Sequence, residues 1–472
     1  MTNAMIADPP ELADYYAFLR AKKRSALMKG LHEVPELNSS MFDYQANVTD
    51  FLLRAGCGAA FLDTGLGKSL IELEWARVMV AHTGKPVLML APLAVGPQHV
   101  REGQRFGIEA KYIRTPGEVA GPGIWITNYE RLHLFCPEDF GALVLDESSI
   151  VKAFGGKTSR ALIEFGERVR YRLAATATPA PNDHMELGQH SAFLGIMPSN
   201  EMLARWFITD QSQMGKYRLK KYGIEDFWSW VASWARMASK PSDLGFADDR
   251  FILPKLNYDL HYVSVDLTAG ANAGELFRAV DTSATSIHKE KRRTAGQRAE
   301  RIAELVHAEP DEAWVVWCET DYEADELMAR LPHAVEVRGS MAADMKEARL
   351  TGFVNQEVKV LVTKPSIAGY GLNLQHCARC AFVGLSFSYE TFYQAVRRFW
   401  RFGQQRPVNV HIALAETEGV IWHAIQRKAR DHEAMKTAMN QAMHRAVKAY
   451  ETKLSYRPTQ AIRLPGWLQR AA

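Results

Sequence analysis

Cysteine, net charge and long apolar runs are all scarce in this 472-residue chain. The five cysteines, Cys57, Cys136, Cys318, Cys377 and Cys380, are odd in number and scattered. That excludes a disulfide framework and suits a reducing compartment. Cys377 and Cys380 form a lone C-x-x-C with no second pair at zinc-site spacing, so both are expected to be buried thiols. Lys and Arg number 57 against 54 Asp and Glu, a formal charge of only +3. A surface for nucleic acid, if present, must therefore be a local patch or groove. No window reaches 18 uninterrupted apolar residues, which argues against a membrane span. The start, Met1-Thr2-Asn3-Ala4, lacks the charged-then-apolar pattern of a signal peptide. The expectation is a cytoplasmic protein.

What is present is enough apolar material, 47% of residues, for two or three sizeable cores. Short apolar strands alternate with helical patterns in two stretches, which predicts parallel sheets with crossover helices. The first set is Ala59–Leu62, Val87–Leu90, Ile124–Thr127, Ala142–Leu145 and Tyr171–Ala175. The second is Trp314–Cys318, Val335–Val337, Val358–Val362, Cys380–Gly384 and Val408–Ala413, entered through a polar helix at Ser286–His307. Between them Trp206, Trp228, Trp230 and Trp234 mark a helical insertion with a linker near Pro254, the tryptophans reading as core anchors. The expected division is an N-terminal helical segment at 1–37, a first lobe at 38–190 and the tryptophan-rich insertion at 191–256. A second lobe at 257–440 and a basic tail at 441–472 follow. The tail carries Arg445, Lys448, Lys453, Arg457, Arg463 and Arg470 against Glu451 alone. Such a run reads either as a solvated helix face or as a phosphate contact.

Gly65-Leu66-Gly67-Lys68-Ser69 follows the first strand and opens a helical run. This is the setting of a phosphate-binding loop. Backbone N–H groups at the helix start cradle phosphates, Lys68 reaches the β and γ positions, and the Ser69 hydroxyl suits Mg2+. Leu62 stands where the longer pattern has its first Gly, so the match is short. Ala142–Leu145 then runs into Asp146-Glu147, placing two carboxylates at the ligand-binding end of a strand. Asp146 can hold Mg2+ through water, and Glu147 can polarise an attacking water.

In order along the chain, these motifs resemble helicase superfamily two, and within it the Swi/Snf-like group. Phe42-Asp43-Tyr44-Gln45 resembles the upstream Gln motif, and Asp63–Ser69 is motif I. Ala91-Pro92-Leu93 resembles motif Ia, Ile126–Glu130 motif Ib, and Asp146-Glu147-Ser148-Ser149 motif II. Ala175-Thr176-Ala177-Thr178-Pro179 is similar to motif III and Gly369–Leu374 to motif V. Gln394–Gln404 matches the Q-x-x-x-R-x-x-R-x-G-Q core of motif VI. Two departures stand out: Ser148-Ser149 replaces Ala-His, and Arg397 occupies a position where the group commonly has an acid.

The resemblance implies an α/β protein with two RecA-like parallel-sheet lobes, a helical insertion between them and a basic C-terminal tail. It looks like a compact motor of a bacterial or viral kind, using ATP and Mg2+. Gln45 would read adenine, and Gly65, Gly67, Lys68, Ser69 and Gly371 would bind nucleotide. Arg398 and Arg401, three apart on one helix face, would act as arginine fingers from the second lobe. Thr176, Thr178 and Gln394 would couple hydrolysis to lobe movement. Pro92, Thr127, Tyr129, Ser340 and Asn373 would contact nucleic acid, chiefly at phosphate and sugar. Double-stranded DNA is the favoured partner, RNA stays open, and the motor is expected to be monomeric, with any nuclease activity belonging to a partner. A strand-separating helicase, a phosphate-loop switch that does not act on nucleic acid, and a catalytically dead binding module are the alternatives.

Overall fold

The computed structural model describes residues 28–92, 95–152, 156–180, 184–209, 217–248, 251–265, 284–368 and 374–454. The first lobe begins with α1 (Asp43–Ala55), β1 (Cys57–Leu62) and α2 (Lys68–Thr83), followed by β2 (Val87–Ala91), α3 (Gly96–Arg105) and β3 (Ala110–Tyr112). It continues through β4 (Ile124–Asn128), β5 (Ala142–Asp146), α4 (Lys157–Glu167), β6 (Tyr171–Ala175) and α5 (Leu187–Leu194). Next come α6 (Ser199–Trp206), a hairpin of β7 (Phe207–Thr209) and β8 (Tyr217–Leu219), α7 (Ile224–Ala232) and β9 (Ala235–Ala238). The sheet runs β3-β4-β2-β5-β6-β1-β9, with all its pairs parallel. Strands β1, β2, β4, β5 and β6 are buried along their whole length. Burial on both faces is why they read as unbroken apolar runs rather than alternating ones.

The second lobe holds β10 (Leu256–Val263), α8 (Ala284–Ala308), β11 (Trp314–Trp317), α9 (Asp321–Arg330), β12 (Val335–Val337) and α10 (Ala343–Val354). Then follow β13 (Val360–Thr363), α11 (Pro365–Ala368), β14 (Arg379–Phe382), α12 (Tyr389–Val396), β15 (Val408–Ala415) and α13 (Gly419–Leu454). Its sheet, also parallel, is ordered β10-β15-β14-β11-β13-β12. The two RecA-like lobes are therefore both present.

Several elements differ from the sequence expectation. The described part of the N-terminal segment, from Met28 to Leu37, contains no helix. The tryptophan-rich stretch is not purely helical: it contains the β7–β8 hairpin and contributes β9 to the edge of the first sheet. Strand β9 carries Arg236, whose guanidinium is buried 3.2 Å over the Phe51 ring and donates to the carbonyls of Ala232 and Ala235. A charged residue inside a four-residue strand hides it from an apolar-run search. Strand β10 alternates apolar and polar residues as an edge strand does, and so falls outside the apolar runs expected for the second lobe. The tail does not begin a new unit at 441, because α13 runs unbroken through that position.

Trp206, Trp230 and Trp234 are 2, 1 and 0% exposed and pack into the first lobe's core, with Trp206 and Trp230 stacked at 4.8 Å. Helix α13 joins both cores. Ile421, Trp422 and Ile425 near its start pack into the second lobe, whereas Met435 and Met439 sink into the first.

Candidate active site

The order β5-β6-β1 sets three loops side by side at the carboxyl ends of adjacent strands. These are the loop after β1 with Lys68 and Ser69, the end of β5 with Asp146 and Glu147, and the loop after β6 with Thr176 and Thr178. Opposite them, the segment after α12 supplies Arg398 and Arg401. A cavity of about 450 Å³ lies between, within the range of small-ligand sites. It is lined by Gln45, Gly65, Gly67, Lys68, Ser69, Asp146, Glu147, Arg398 and Arg401 among others. Phe42, Tyr44, Phe251 and Phe402 form an aromatic cluster at this cavity, with Phe251 and Phe402 stacked at 4.7 Å.

The loop is shaped by two glycines in the left-handed region, Gly65 at φ 94 and Gly67 at φ 71. A Cβ on Gly65 would stand 2.8 Å from the Phe402 backbone nitrogen, and one on Gly67 would collide with the Gln45 amide. Both ends of that amide are engaged: Oε1 accepts from Phe42 N–H at 2.9 Å and Nε2 donates to the Leu66 carbonyl at 3.1 Å. Gln45 thus braces the loop. Lys68 donates to the Leu62 carbonyl at 3.0 Å. Burial draws its pKa down, against the pull of Glu147 and Asp146.

Asp146 accepts from His99 Nε2 at 2.9 Å, and its backbone carbonyl accepts from the Tyr129 hydroxyl at 2.5 Å. Burial alone would raise its pKa, but His99, Lys68 and Arg398 together lower it, so the carboxylate stays ionised. Glu147 moves the other way. Burial raises it, and the neighbouring Asp146 charge adds to that against Lys68. Glu147 also sits at φ 56, a left-handed backbone unusual for a residue with a side chain. Such strain costs about 1–2 kcal/mol and clusters at functional sites. The Glu147 Oε1 accepts from Thr176 Oγ1 at 2.9 Å and from Gln394 Nε2 at 3.3 Å. Gln394 also donates to Thr178 Oγ1 at 3.4 Å. The three residues expected to couple the lobes therefore form one chain of hydrogen bonds ending on Glu147.

The expected arginine geometry needs correction. Helix α12 stops at Val396, so Arg398 and Arg401 do not share a helix face. The following turn is closed by Arg398 N–H to the Ala395 carbonyl and Phe399 N–H to the Val396 carbonyl, with Gly403 at φ 95. Both side chains still reach the cavity. Burial and the neighbouring Arg398 lower Arg401 to about 10.

Among the expected nucleic-acid contacts, Thr127 and Tyr129 are buried. Strand β4 is interior to its sheet, so the Thr127 hydroxyl is spent on the Ile113 carbonyl and the Tyr129 hydroxyl on Asp146. Neither side chain can grip a strand. Pro92 lines the same cavity as Lys68. Ser340 is exposed in the turn after β12. Gly371 and Asn373 lie outside the described residues. Cys377 and Cys380 are free and buried.

Two groups escaped the sequence reading. Arg397 pairs with Asp63 of the phosphate loop at 3.1 Å and donates to the Thr64 carbonyl at 2.9 Å. Lys436 of α13 and Tyr393 also reach the Asp63 carboxylate, at 3.0 and 2.6 Å. The position where the Swi/Snf-like group has an acid thus carries the partner of a motif I acid. Behind Asp146 lie His99 and Glu72, whose ligand atoms with those of Asp146 fall within 4.8 Å of one another.

Residues 297–403 match the family described as Helicase conserved C-terminal domain. No curated protein matches the sequence. Among solved structures, the chain resembles S. cerevisiae Dbp5 bound to RNA and ADP BeF3, at 12% identity and a TM-score of 0.55. That match covers 92% of this chain and 97% of the other. Residues 297–403 fall in the second lobe, so a helicase conserved C-terminal domain is joined there to a first RecA-like lobe that carries the phosphate loop.

Proposed function

We propose that this enzyme couples ATP hydrolysis to movement along double-stranded DNA without separating its strands. The observation that carries the proposal is the link across the cleft, in which Gln394 of the second lobe touches both Glu147 and Thr178 of the first. Lys68 and the N–H groups opening α2 hold the phosphates, and Arg398 and Arg401 approach them from the other lobe. Charge built up on the transferred phosphoryl group is met by these fixed cations in a site shielded from water. Glu147, with its raised pKa, orients and deprotonates the attacking water. When the phosphate leaves, the contact that holds Gln394 over Glu147 loosens and the lobes part.

Ser69 and Asp146 line one cavity, and Asp146 is kept ionised, so the donor set fits a hard divalent cation such as Mg2+. Bound there, Mg2+ would neutralise charge between the β and γ positions.

The duplex preference rests on the Swi/Snf-like form of Gln394–Gln404 and on the fate of the tryptophans. Strand separation needs a wedge that competes with stacking of about 1.4 kcal/mol per step. Trp206, Trp228, Trp230 and Trp234 are at most 4% exposed and form no blade. A strand-separating RNA helicase is the second reading, favoured by the fold shared with a protein solved on RNA. ATPase rates with single-stranded DNA, duplex DNA and RNA, beside triplex-displacement and forked-duplex assays, decide between them. Duplex-stimulated turnover with triplex displacement supports translocation; efficient unwinding without displacement refutes it.

A further inference from the structure

Asp146 is approached from behind by side chains that none of the recognised motifs contains. His99, in the first half of α3, places Nε2 2.9 Å from Asp146 Oδ2. Glu72, one turn into α2, places Oε2 3.9 Å from the same nitrogen. His99 is 1% exposed and Glu72 0%. Among the described residues, neither Glu72 oxygen has a hydrogen-bond partner, nor has His99 Nδ1.

We propose that His99 is a positioning residue for ATP hydrolysis, fixing the orientation of the Asp146 carboxylate that faces the nucleotide cavity. The inference rests on the assignment of Asp146 to the ATP site. With an Asp146 carboxylate oxygen 2.9 Å from Nε2, a lone pair there would be repelled, so this nitrogen carries the hydrogen and donates. A donor locked in a packed helix removes one of the carboxylate's rotational freedoms. Oδ2 is committed to the imidazole, and the remaining oxygen is left for the cavity. An unanchored aspartate would populate several orientations, and each wrong one lowers the affinity for the cation that accompanies ATP. Supporting groups of this kind change metal affinity or activity by about 10–100-fold. Glu72 lies on the same Nε2 but at 3.9 Å, too far for a hydrogen bond, which leaves Asp146 as the hydrogen-bonded partner of that nitrogen.

The test is a MgCl2 titration of nucleic-acid-stimulated ATPase at saturating ATP, in full-length protein. His99→Phe keeps a ring of similar size and removes the donor. His99→Gln places an amide nitrogen near the Nε2 position. His99→Asn places it near Nδ1 and replaces the Phe variant if that does not fold. Expected is a rise of about 10-fold in the Mg2+ concentration at half-maximal rate for Phe or Asn, with Gln close to wild type. A merely structural role would lower the melting temperature of all variants and leave the Mg2+ midpoint unchanged; that result overturns the proposal. Asp146→Asn run alongside separates the two levels. If it hydrolyses ATP normally, the assignment of Asp146 fails. If it is inactive while His99→Phe titrates like wild type, the positioning inference alone fails.

Discussion

At the scale of single residues, two neighbouring carboxylates of the candidate site have opposed protonation tendencies. Asp146 is held ionised by His99, Lys68 and Arg398 against its burial, whereas burial dominates at Glu147 and raises its pKa. Neighbouring carboxylates pushed apart in this way suit different tasks, a cation-facing anion and a base. Glu147→Gln keeps the shape and, through its amide oxygen, can still accept from Thr176 and Gln394, but loses the proposed base. ATP turnover is expected to drop by at least ~10²-fold, the scale of losing one preorganised catalytic group. Near wild-type hydrolysis by the purified variant would contradict the base role. Arg401→Ala is expected to retain nucleotide affinity and lose turnover, because a finger acts on charge that develops only in the transition state. Affinity and maximal rate measured on one preparation check this, since a large affinity loss at unchanged rate would mean ground-state binding instead.

At the scale of elements, α13 is the informative case. A helix of 36 residues extends about 54 Å, enough to leave one lobe and pack on the other. Its buried His432 sits between the rings of Tyr389 and Tyr393, and among the described residues neither ring nitrogen finds a hydrogen-bond partner. Burial, reinforced by the Lys436 charge, lowers His432 to about 3 from an ordinary value of 6.5. The sign follows directly. Above pH 6.5 the imidazole is neutral whether folded or unfolded and costs nothing. As the pH falls from 6.5 to about 3 only the unfolded chain takes up the proton, so the native state loses up to about 1.4 kcal/mol per pH unit. Urea midpoints between pH 7 and 4 should fall less steeply for His432→Gln than for wild type; parallel curves would show that another group governs acid sensitivity. Deleting the chain from Gln441 removes the last turns of α13 and the ion pair of Arg445 with Glu225 at 3.2 Å. That exposed pair contributes little. Basal ATPase is expected to persist, while DNA affinity weakens and its dependence on salt becomes shallower. An unchanged salt slope would make the tail a packing segment.

At the scale of the whole molecule, a buried cluster joins the two lobes. Asp63 of the first lobe meets Tyr393, Arg397 and Lys436 of the second, and all three charged members are less than 10% exposed. The net charge of this group is +1, so either cation can be removed without stranding the carboxylate. Removing both leaves a buried uncompensated anion, a loss on the order of 3–5 kcal/mol. Lys436→Met with Arg397→Met is therefore expected to open the nucleotide-free enzyme, seen as a larger radius of gyration in solution scattering. Each single substitution should change it little. An unchanged radius in the double variant would locate the closing force in Met435, Met439 and the aromatic contacts of Phe402.

Much of this was legible in the sequence, for a local reason. A phosphate loop needs its glycines, lysine and hydroxyl within a few residues, and a strand ending in two carboxylates declares its own direction. Strands buried on both faces advertise themselves as apolar runs, which marks five of the first sheet's seven strands; β3 is too short and β9 too charged. By itself, then, the sequence determined the two lobes, the order of the motifs, and the strand ends from which Lys68, Ser69, Asp146 and Glu147 reach one cavity. What only the tertiary structure decided is which distant groups meet them. Arg397 and Asp63 are more than 300 positions apart, and no periodicity links His99 to Asp146 or Lys436 to the phosphate loop. Thr127 and Tyr129 stand in a motif that resembles a strand-gripping one, yet Thr127 on β4 and Tyr129 in the turn after it both direct their hydroxyls inward. Spacing along a chain records what one helix or strand can present. Contacts across a cleft depend on how two lobes close, and that is set by packing at positions that leave no shared local pattern.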